Sequence, residues 1–535
     1  MKIKKQTFMK GIITVLISQI LVKFLGFIYR VVITNVPGFG DEGNAYYGTA
    51  YKVYALLLAI ATTGIPNAIS KLVSEKIAVG DKKGAYRIFR TALYLFMTIG
   101  AVFFVVLLVG ADFISTHIMA NSNAAYSIMA LSPALFFVAI SAVFRGFFAG
   151  LKDMRAQGVS QVLEQLFNCV FSILFVGLLV SQSPEIMAIG SALGTSLATI
   201  ISAIYLVTFY LRRKDELTQE LKNAVEVTNE SNKSIIKKIV KLSIPISLAS
   251  IVLTLSGVID LATVKRCLLT FMGEEEATTQ IGILFGKVDM LTNLPLALNV
   301  AFAMVLVPTI ASAIAVGNNN NAKNKASLSL LITILIGLPC MFGFIVLADP
   351  ILKLLFPGVS EGKVILQLAS LAVLSSAIGQ TLSGTLQGLG KVMVPAIATL
   401  IGSAVKLFFN LILIPIPSIG INGAAISSAI GQAIIAIIMF MSVNKTLKLN
   451  INIVKYMIKP ICATVIMSIS AFLIHKGINV LTGSNVMATI GAIFIAAIIF
   501  VVFVVVFKIF SKEEIESLPL GNKIVKVLVK AKLYT

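Results

Sequence analysis

Runs of 20 or more apolar residues recur along the chain from Gly11 to Phe507, and this repetition decides the class of fold. A helix of that length rises about 1.5 Å per residue and so crosses a hydrocarbon core about 30 Å thick. In that core each backbone N–H and C=O must be satisfied within the protein, which leaves helices or closed barrels. Barrel strands alternate over ~10 residues, a pattern absent here. Only 13% of the 535 residues are charged and 58% are hydrophobic. A soluble domain carries about 25% charge, so the chain reads as an all-α polytopic membrane protein.

About fourteen spans are expected: 11–33, 44–73, 91–110, 124–148, 158–181, 186–211, 236–264, 280–311, 326–347, 364–386, 392–414, 423–443, 456–474 and 486–507. The second, seventh and eighth are long, so they must tilt, bend or extend beyond the bilayer. The first run follows Lys2, Lys4, Lys5 and Lys10, as a signal peptide would. It is too long for one, contains Lys23 and lacks a small-residue cleavage site, so it reads as a retained span.

Charge tests this count independently. With the N-terminus inside, the inward segments 71–90, 145–155, 212–241, 323–325, 391 and 445–459 and both tails hold 34 of the 44 Lys and Arg. Outward loops hold only Lys265, Arg266, Lys353, Lys363 and Lys476. An odd number of spans would scramble that asymmetry, so both termini are expected in the cytoplasm. The net charge of +21 is thus orienting and lipid-facing charge, with no nucleic-acid partner implied.

The chain also repeats itself. Gly146-x-x-x-Gly150-Leu151 recurs as Gly384-x-x-x-Gly388-Leu389, an offset of 238. Ile77-Ala78-Val79-Gly80 recurs as Ile314-Ala315-Val316-Gly317, an offset of 237. Two matches at nearly one offset predict duplicated six-span lobes, residues 1–211 and 236–443, joined by a cytoplasmic linker at 212–235. Six is even, so both copies keep one orientation, as parallel repeats about an axis along the membrane normal. Two further helices are expected in 444–509, followed by a basic amphipathic tail, 510–535, on the inner leaflet.

Eight ionisable residues lie within or at the edges of the spans: Lys23, Arg30, Lys52, Glu164, Asp260, Lys287, Asp289 and Lys406. Each costs roughly 2.5–3.5 kcal/mol to bury alone, so each is expected to face a cavity or a partner. Lys23 and Arg30 are seven apart and share a helix face. With Lys52 and Lys287 they form an expected cationic patch in the outer half of the membrane, suited to an anionic group such as a phosphate. The blander readings are snorkelling for Arg30 and pairing with Asp260 or Asp289 for Lys287. Glu164, Asp260, Asp289 and Lys406 are candidates for pairing or ion coupling. Pro66 and Pro308 interrupt matching spans, as hinges or as fixed kinks.

Several chemistries find no support. No P-loop, H-E-x-x-H or G-x-S-x-G pattern occurs. His117 and His475 are far apart, and the four cysteines show no paired spacing, so neither metal nor cofactor is expected.

The first span, Ser18-Gln-Ile-Leu-Val-Lys-Phe-Leu-Gly-Phe-Ile-Tyr-Arg30, resembles the multidrug/oligosaccharidyl-lipid/polysaccharide (MOP) exporter superfamily. So do Gly64-Ile-Pro-Asn-Ala-Ile-Ser-Lys71, Phe144-Arg-Gly-Phe-Phe-Ala-Gly150 and Val159-Ser-Gln-Val-Leu-Glu-Gln165. Within the superfamily the chain is most similar to the MurJ-like lipid flippases and the stage V sporulation protein B group. The resemblance covers nearly the whole chain. It implies a fourteen-helix, two-lobed fold and transport of an undecaprenyl-diphosphate-linked oligosaccharide, such as the peptidoglycan precursor lipid II, across a bacterial plasma membrane by alternating access. The family's Ser-Arg-x-Leu-Gly stretch supplies a cavity cation. Here Lys23 stands at the Arg, Val22 at the Ser, and Tyr29 at another basic position with Arg30 beside it, so the sugar is left open. The extra C-terminal helices would line a groove for the polyprenyl tail.

Three readings follow: a lipid-linked oligosaccharide flippase, a cation-coupled multidrug exporter of the same superfamily, and a membrane-embedded glycosyltransferase. A non-enzymatic transporter is expected, with membrane lipids and an unidentified coupling ion as further partners. Five basic groups against three acidic ones in the spans favour an anionic substrate over lipophilic cations.

Overall fold

The computed structural model describes residues 8–62, 64–214, 230–449, 451–516 and 525. Most of the expected linker and tail lie outside them. The described residues form helices joined by short turns. They are α1 (Phe8–Thr34), α2 (Gly40–Thr62), α3 (Gly64–Ala78), α4 (Lys82–Phe113), α5 (Ala125–Gly150), α6 (Arg155–Leu178), α7 (Pro184–Leu211), α8 (Asn232–Leu268) and α9 (Glu274–Ile281). Then come α10 (Asp289–Ala315), α11 (Asn319–Leu355), α12 (Lys363–Gly388), α13 (Met393–Leu413), α14 (Asn422–Leu447), α15 (Lys459–Thr482), α16 (Asn485–Val506) and the short α17 (Lys512–Glu516).

Among the described residues twelve segments are long and apolar enough to cross a membrane. The helices α8 and α10, of 37 and 27 residues, stand where the seventh and eighth spans were expected. The three long spans are each accommodated differently. The second runs as the 39-residue segment Gly40–Ala78, described as α2 and α3 on either side of residue 63, which lies outside the described residues. The seventh extends past the expected span at both ends. The eighth is preceded by a π-helical turn, Gly282–Val288, that follows α9. The ninth span, α11, kinks at Leu347, where φ is −104° and ψ 19°, three residues before Pro350.

The chain divides into two compact units, Met1–Lys287 and Val288–Thr535. In the first, α8 packs on α2, α3 and α4 in addition to the packing among the first six spans. One buried cluster joins Tyr47, Val53, Leu131 and Val176 with Val258 and Leu261 of α8. A second joins Ile69, Phe89, Phe144 and Phe147 with Ile235 and Ile239 of α8.

The repeat is legible in the turns of both units. After α3, Gly80 has φ 79° and Asp81 N donates to Lys76 O. After α10, Gly317 has φ 73° and Asn318 N donates to Ala313 O. Each turn then caps the next helix alike, Asp81 Oδ1 accepting from Gly84 N and Asn318 Oδ1 from Asn321 N. The left-handed residue lets the departing helix satisfy its last carbonyls, which is why glycine recurs there.

Lipid offers little hydrophobic drive between helices, so close approach through small residues carries the packing. A methyl on Gly150 would fall 2.7 Å from Val73 Cβ and 3.0 Å from Ser70 O. A methyl on Gly388 would fall 2.8 Å from both Ile310 Cβ and Val307 O. The same glycine, one repeat apart, meets the same two positions of the helix two before its own. Pro66 and Pro308 do not correspond in this way. They lie in matching spans but 242 residues apart rather than 237. Pro66 lies within the helical segment Gly40–Ala78, three residues after residue 63, and Pro308 sits inside α10.

Candidate functional site

The structure sorts the intramembrane cations by partner. Lys287 is fully buried and its Nζ donates to Asp41 Oδ2 at 2.8 Å. Asp41 was not among the partners the sequence offered for it. Close contact makes the pair possible, because glycines of the π-helical turn let α2 approach: a methyl on Gly286 would meet Asn44 Cβ at 2.7 Å. Lys287 therefore belongs to an ion pair, and its charge is largely offset where the sequence placed a free cavity cation.

Lys23, Arg30 and Lys52 differ. Among the described residues none of the three has a carboxylate within ion-pair reach. Lys23 is exposed and Arg30 and Lys52 are half-buried. Arg30 Nη1 donates to Asn44 Oδ1 at 3.3 Å, and its guanidinium lies 4.8 Å from the centre of the Tyr47 ring. Asn44 is itself held by donating to Thr34 Oγ1 at 2.9 Å and to Gly40 O at 3.0 Å. Tyr47 hydroxyl is fixed by Thr195 at 3.0 Å, and Thr195 donates to Asn168 Oδ1 at 3.0 Å. Arg30 thus rests on neutral groups that orient it and leave its charge uncompensated. The Lys52 ammonium lies 5.5 Å from the centre of the Phe285 ring and beside Gly257 of α8.

Glu164 has a partner that the sequence reading missed. Arg145 Nη2 donates to Glu164 Oε2 at 2.6 Å and to Ser202 Oγ at 2.9 Å, while its Nε donates to Ser160 Oγ at 2.9 Å. This fork ties α5, α6 and α7 together. Arg145 had been counted with the inward loop, yet it lies five residues inside the end of α5. Glu164 lies nine residues into α6, which follows α5 across a short turn, and the long arginine side chain spans the difference in depth.

Asp260 is buried on α8 and Asp289 begins α10, partly exposed. Lys406 lies on α13 in the second unit, where its Cβ would be 3.1 Å from a methyl on Gly431. No group of three His, Cys, Asp or Glu among the described residues is arranged to hold a metal ion.

At the end of the spans facing the expected cytoplasm, Glu230 just before α8 accepts from Lys238 and, at 2.7 Å, from Lys76 on α3. Both lysines hold its carboxyl below the usual range, Lys238 most strongly. Asp153, between α5 and α6, is pushed up by burial, but Arg155 and Arg213 outweigh this and hold it low.

The profile of the polysaccharide biosynthesis protein family matches residues 8–314, and that of the MatE family matches 245–412. Stage V sporulation protein B of Bacillus subtilis (strain 168) is 25% identical over 97% of this chain and 99% of its own. The lipid II flippase MurJ of the same organism is 24% identical over 79% of this chain and 80% of its own. Among solved structures, lipid II flippase MurJ in an inward closed conformation matches with a TM-score of 0.70 at 18% identity, covering 94% of this chain and 99% of that one. An inward-facing multidrug resistance MATE transporter of the MOP superfamily matches with a TM-score of 0.68 at 19% identity, covering 80% and 94%. The folds of both transporter groups are the fold of this chain. With its spans, its duplicated turns and the profile over more than half its length, the chain belongs to the polysaccharide biosynthesis protein family, as a multi-pass membrane transporter of the MOP superfamily.

Proposed function

We propose that the protein is a flippase for an undecaprenyl-diphosphate-linked oligosaccharide, lipid II being the leading substrate, carrying it from the inner to the outer leaflet by alternating access. The observation that supports this reading is the set Lys23, Arg30 and Lys52. Three cations at membrane depth without carboxylate partners are costly unless an anion visits them. A diphosphate has the charge and the acceptor oxygens to do so. The paired Lys287 and Arg145 offer no such vacancy. Relatives of the chain include a lipid II flippase and a sporulation protein, which fits cell-wall glycan as cargo. Both termini lie in the cytoplasm in this reading, at the bacterial plasma membrane. A lipophilic cation, the cargo of a multidrug exporter, would meet repulsion at the same three groups.

The test is complementation. A bacterium depleted of its own lipid II flippase would express the protein, native or as Lys23→Ala/Arg30→Ala, and lipid II reached by an externally added enzyme would be measured. The native protein should restore exposure, and the double variant should fail at equal membrane abundance. Good expression without restored exposure would remove lipid II as the substrate.

A further inference from the structure

On α1, Gln19, Lys23, Gly26 and Arg30 fall at intervals of four, three and four residues, so they form one stripe along the helix. The stripe is about 16 Å long at 1.5 Å per residue. The helix packed against α1 is α6, which brings Gln161 and Gln165 to the same seam. Gln19 Nε2 donates to Gln161 Oε1 at 3.1 Å. One turn further on, Gln165 reaches Gly26, where a methyl would lie 3.5 Å from its amide nitrogen.

These amides are not consumed by the fold. The Gln19–Gln161 bond uses one donor of the first and the carbonyl of the second, leaving the Gln161 NH2 group and the Gln19 carbonyl uncommitted. Gln165 has no hydrogen bond to any described residue, and it is only partly buried. A primary amide left without partners at membrane depth costs free energy against lipid, so it must front water or a polar ligand. Each amide presents a donor and an acceptor side by side and carries no charge. That pattern matches vicinal hydroxyls and acetamido groups of a sugar. The carbonyl half of that pattern finds no donor on an ionised phosphate, for which the lysine and arginine of the same stripe are suited.

We infer that the α1–α6 seam is a divided headgroup site. Lys23 and Arg30 take the diphosphate, and the amides of Gln19, Gln161 and Gln165 take the sugar residues attached to it. This assignment rests on the flippase reading and adds the feature that recognises the glycan. The absence of a side chain at Gly26 keeps the Gln165 amide open between the two parts.

The test uses the full-length protein in liposomes loaded with either undecaprenyl diphosphate or undecaprenyl diphosphate bearing a disaccharide. Initial rates of appearance in the outer leaflet are read by an impermeant phosphatase for the first lipid and an impermeant glycan-modifying enzyme for the second. In Gln161→Leu/Gln165→Leu the ratio of glycan-bearing to bare lipid transport should fall about tenfold, the loss of one to two net hydrogen bonds. The milder Gln165→Asn should fall between it and the native ratio, and detergent melting checks that each variant is folded. An unchanged ratio in the folded variant overturns the sugar assignment. A native protein that moves neither lipid overturns the flippase reading itself.

Discussion

Lys287 and Asp41, 246 residues apart in the chain, meet in a buried ion pair at 2.8 Å. Removing one partner leaves a lone charge without water, which costs about 3–5 kcal/mol, whereas replacing both by apolar groups is often nearly neutral. Lys287→Ala should therefore lower the melting temperature sharply, and Lys287→Met/Asp41→Leu should recover most of the loss. Single variants that melt with the native protein would mean the pair is not buried as described.

The equivalent glycines give a matched comparison. Leucine at Gly150 must displace α3 and leucine at Gly388 must displace α10, and overpacking of this kind costs typically about 1–3 kcal/mol. The two variants should lose stability to a similar extent. Gly343→Leu, where nothing lies within 4 Å of the added carbon, should melt near the native temperature. Unequal losses at the first two positions would contradict the shared packing of the repeats.

Arg145 distributes its donors over Glu164, Ser160 and Ser202, so lysine cannot replace it. Arg145→Lys and Arg145→Ala should both destabilise, and adding Glu164→Gln should restore part of the loss in a double-mutant cycle. Additive losses would show that the two residues do not act as a pair.

The junction at Glu230 should respond to acid. Its carboxyl is held below its ordinary value by Lys238 and Lys76, so its contribution is present above about pH 4.5 and lost as pH falls through the lowered value. Asp153 is shifted in the same direction from a lower ordinary value, so its contribution is lost at still lower pH. Melting followed from pH 7 to pH 3 should show this fall, with a weaker pH dependence in Glu230→Gln. A variant with the native profile would indicate that Glu230 is not a stabilising partner.

The features legible in the sequence are those with a local cause. A span is a run of apolar residues, and the duplication survives because a left-handed turn and a close helix contact both demand glycine, at Gly80 and Gly317 and at Gly150 and Gly388. Helix periodicity placed Lys23 and Arg30 on one face for the same reason. Partners distant in the chain leave no such mark. Nothing in the sequence near Lys287 points to Asp41, whereas Asp260 and Asp289 are its neighbours along the chain. Arg145 is hidden by its nearness to a basic loop, although it lies inside α5, one short turn from the helix that carries Glu164. The uncommitted amides of α6 could be seen only once α1 was set against it. The matching prolines looked equivalent by span, but the repeat register separates them by five residues.

Whether the unpaired cations of the first two spans hold a diphosphate during transport, as proposed, is tested by transfer of a fluorescent or radiolabelled undecaprenyl-diphosphate glycan across liposomes containing Lys23→Ala, Lys52→Ala or the surface variant Lys353→Ala. Lys353 is exposed and pairs with Asp349. Transfer should fall at least about tenfold in the first two, the loss of one charge-assisted contact, and stay near native in the third. Native transfer by folded Lys23→Ala and Lys52→Ala would contradict the proposal.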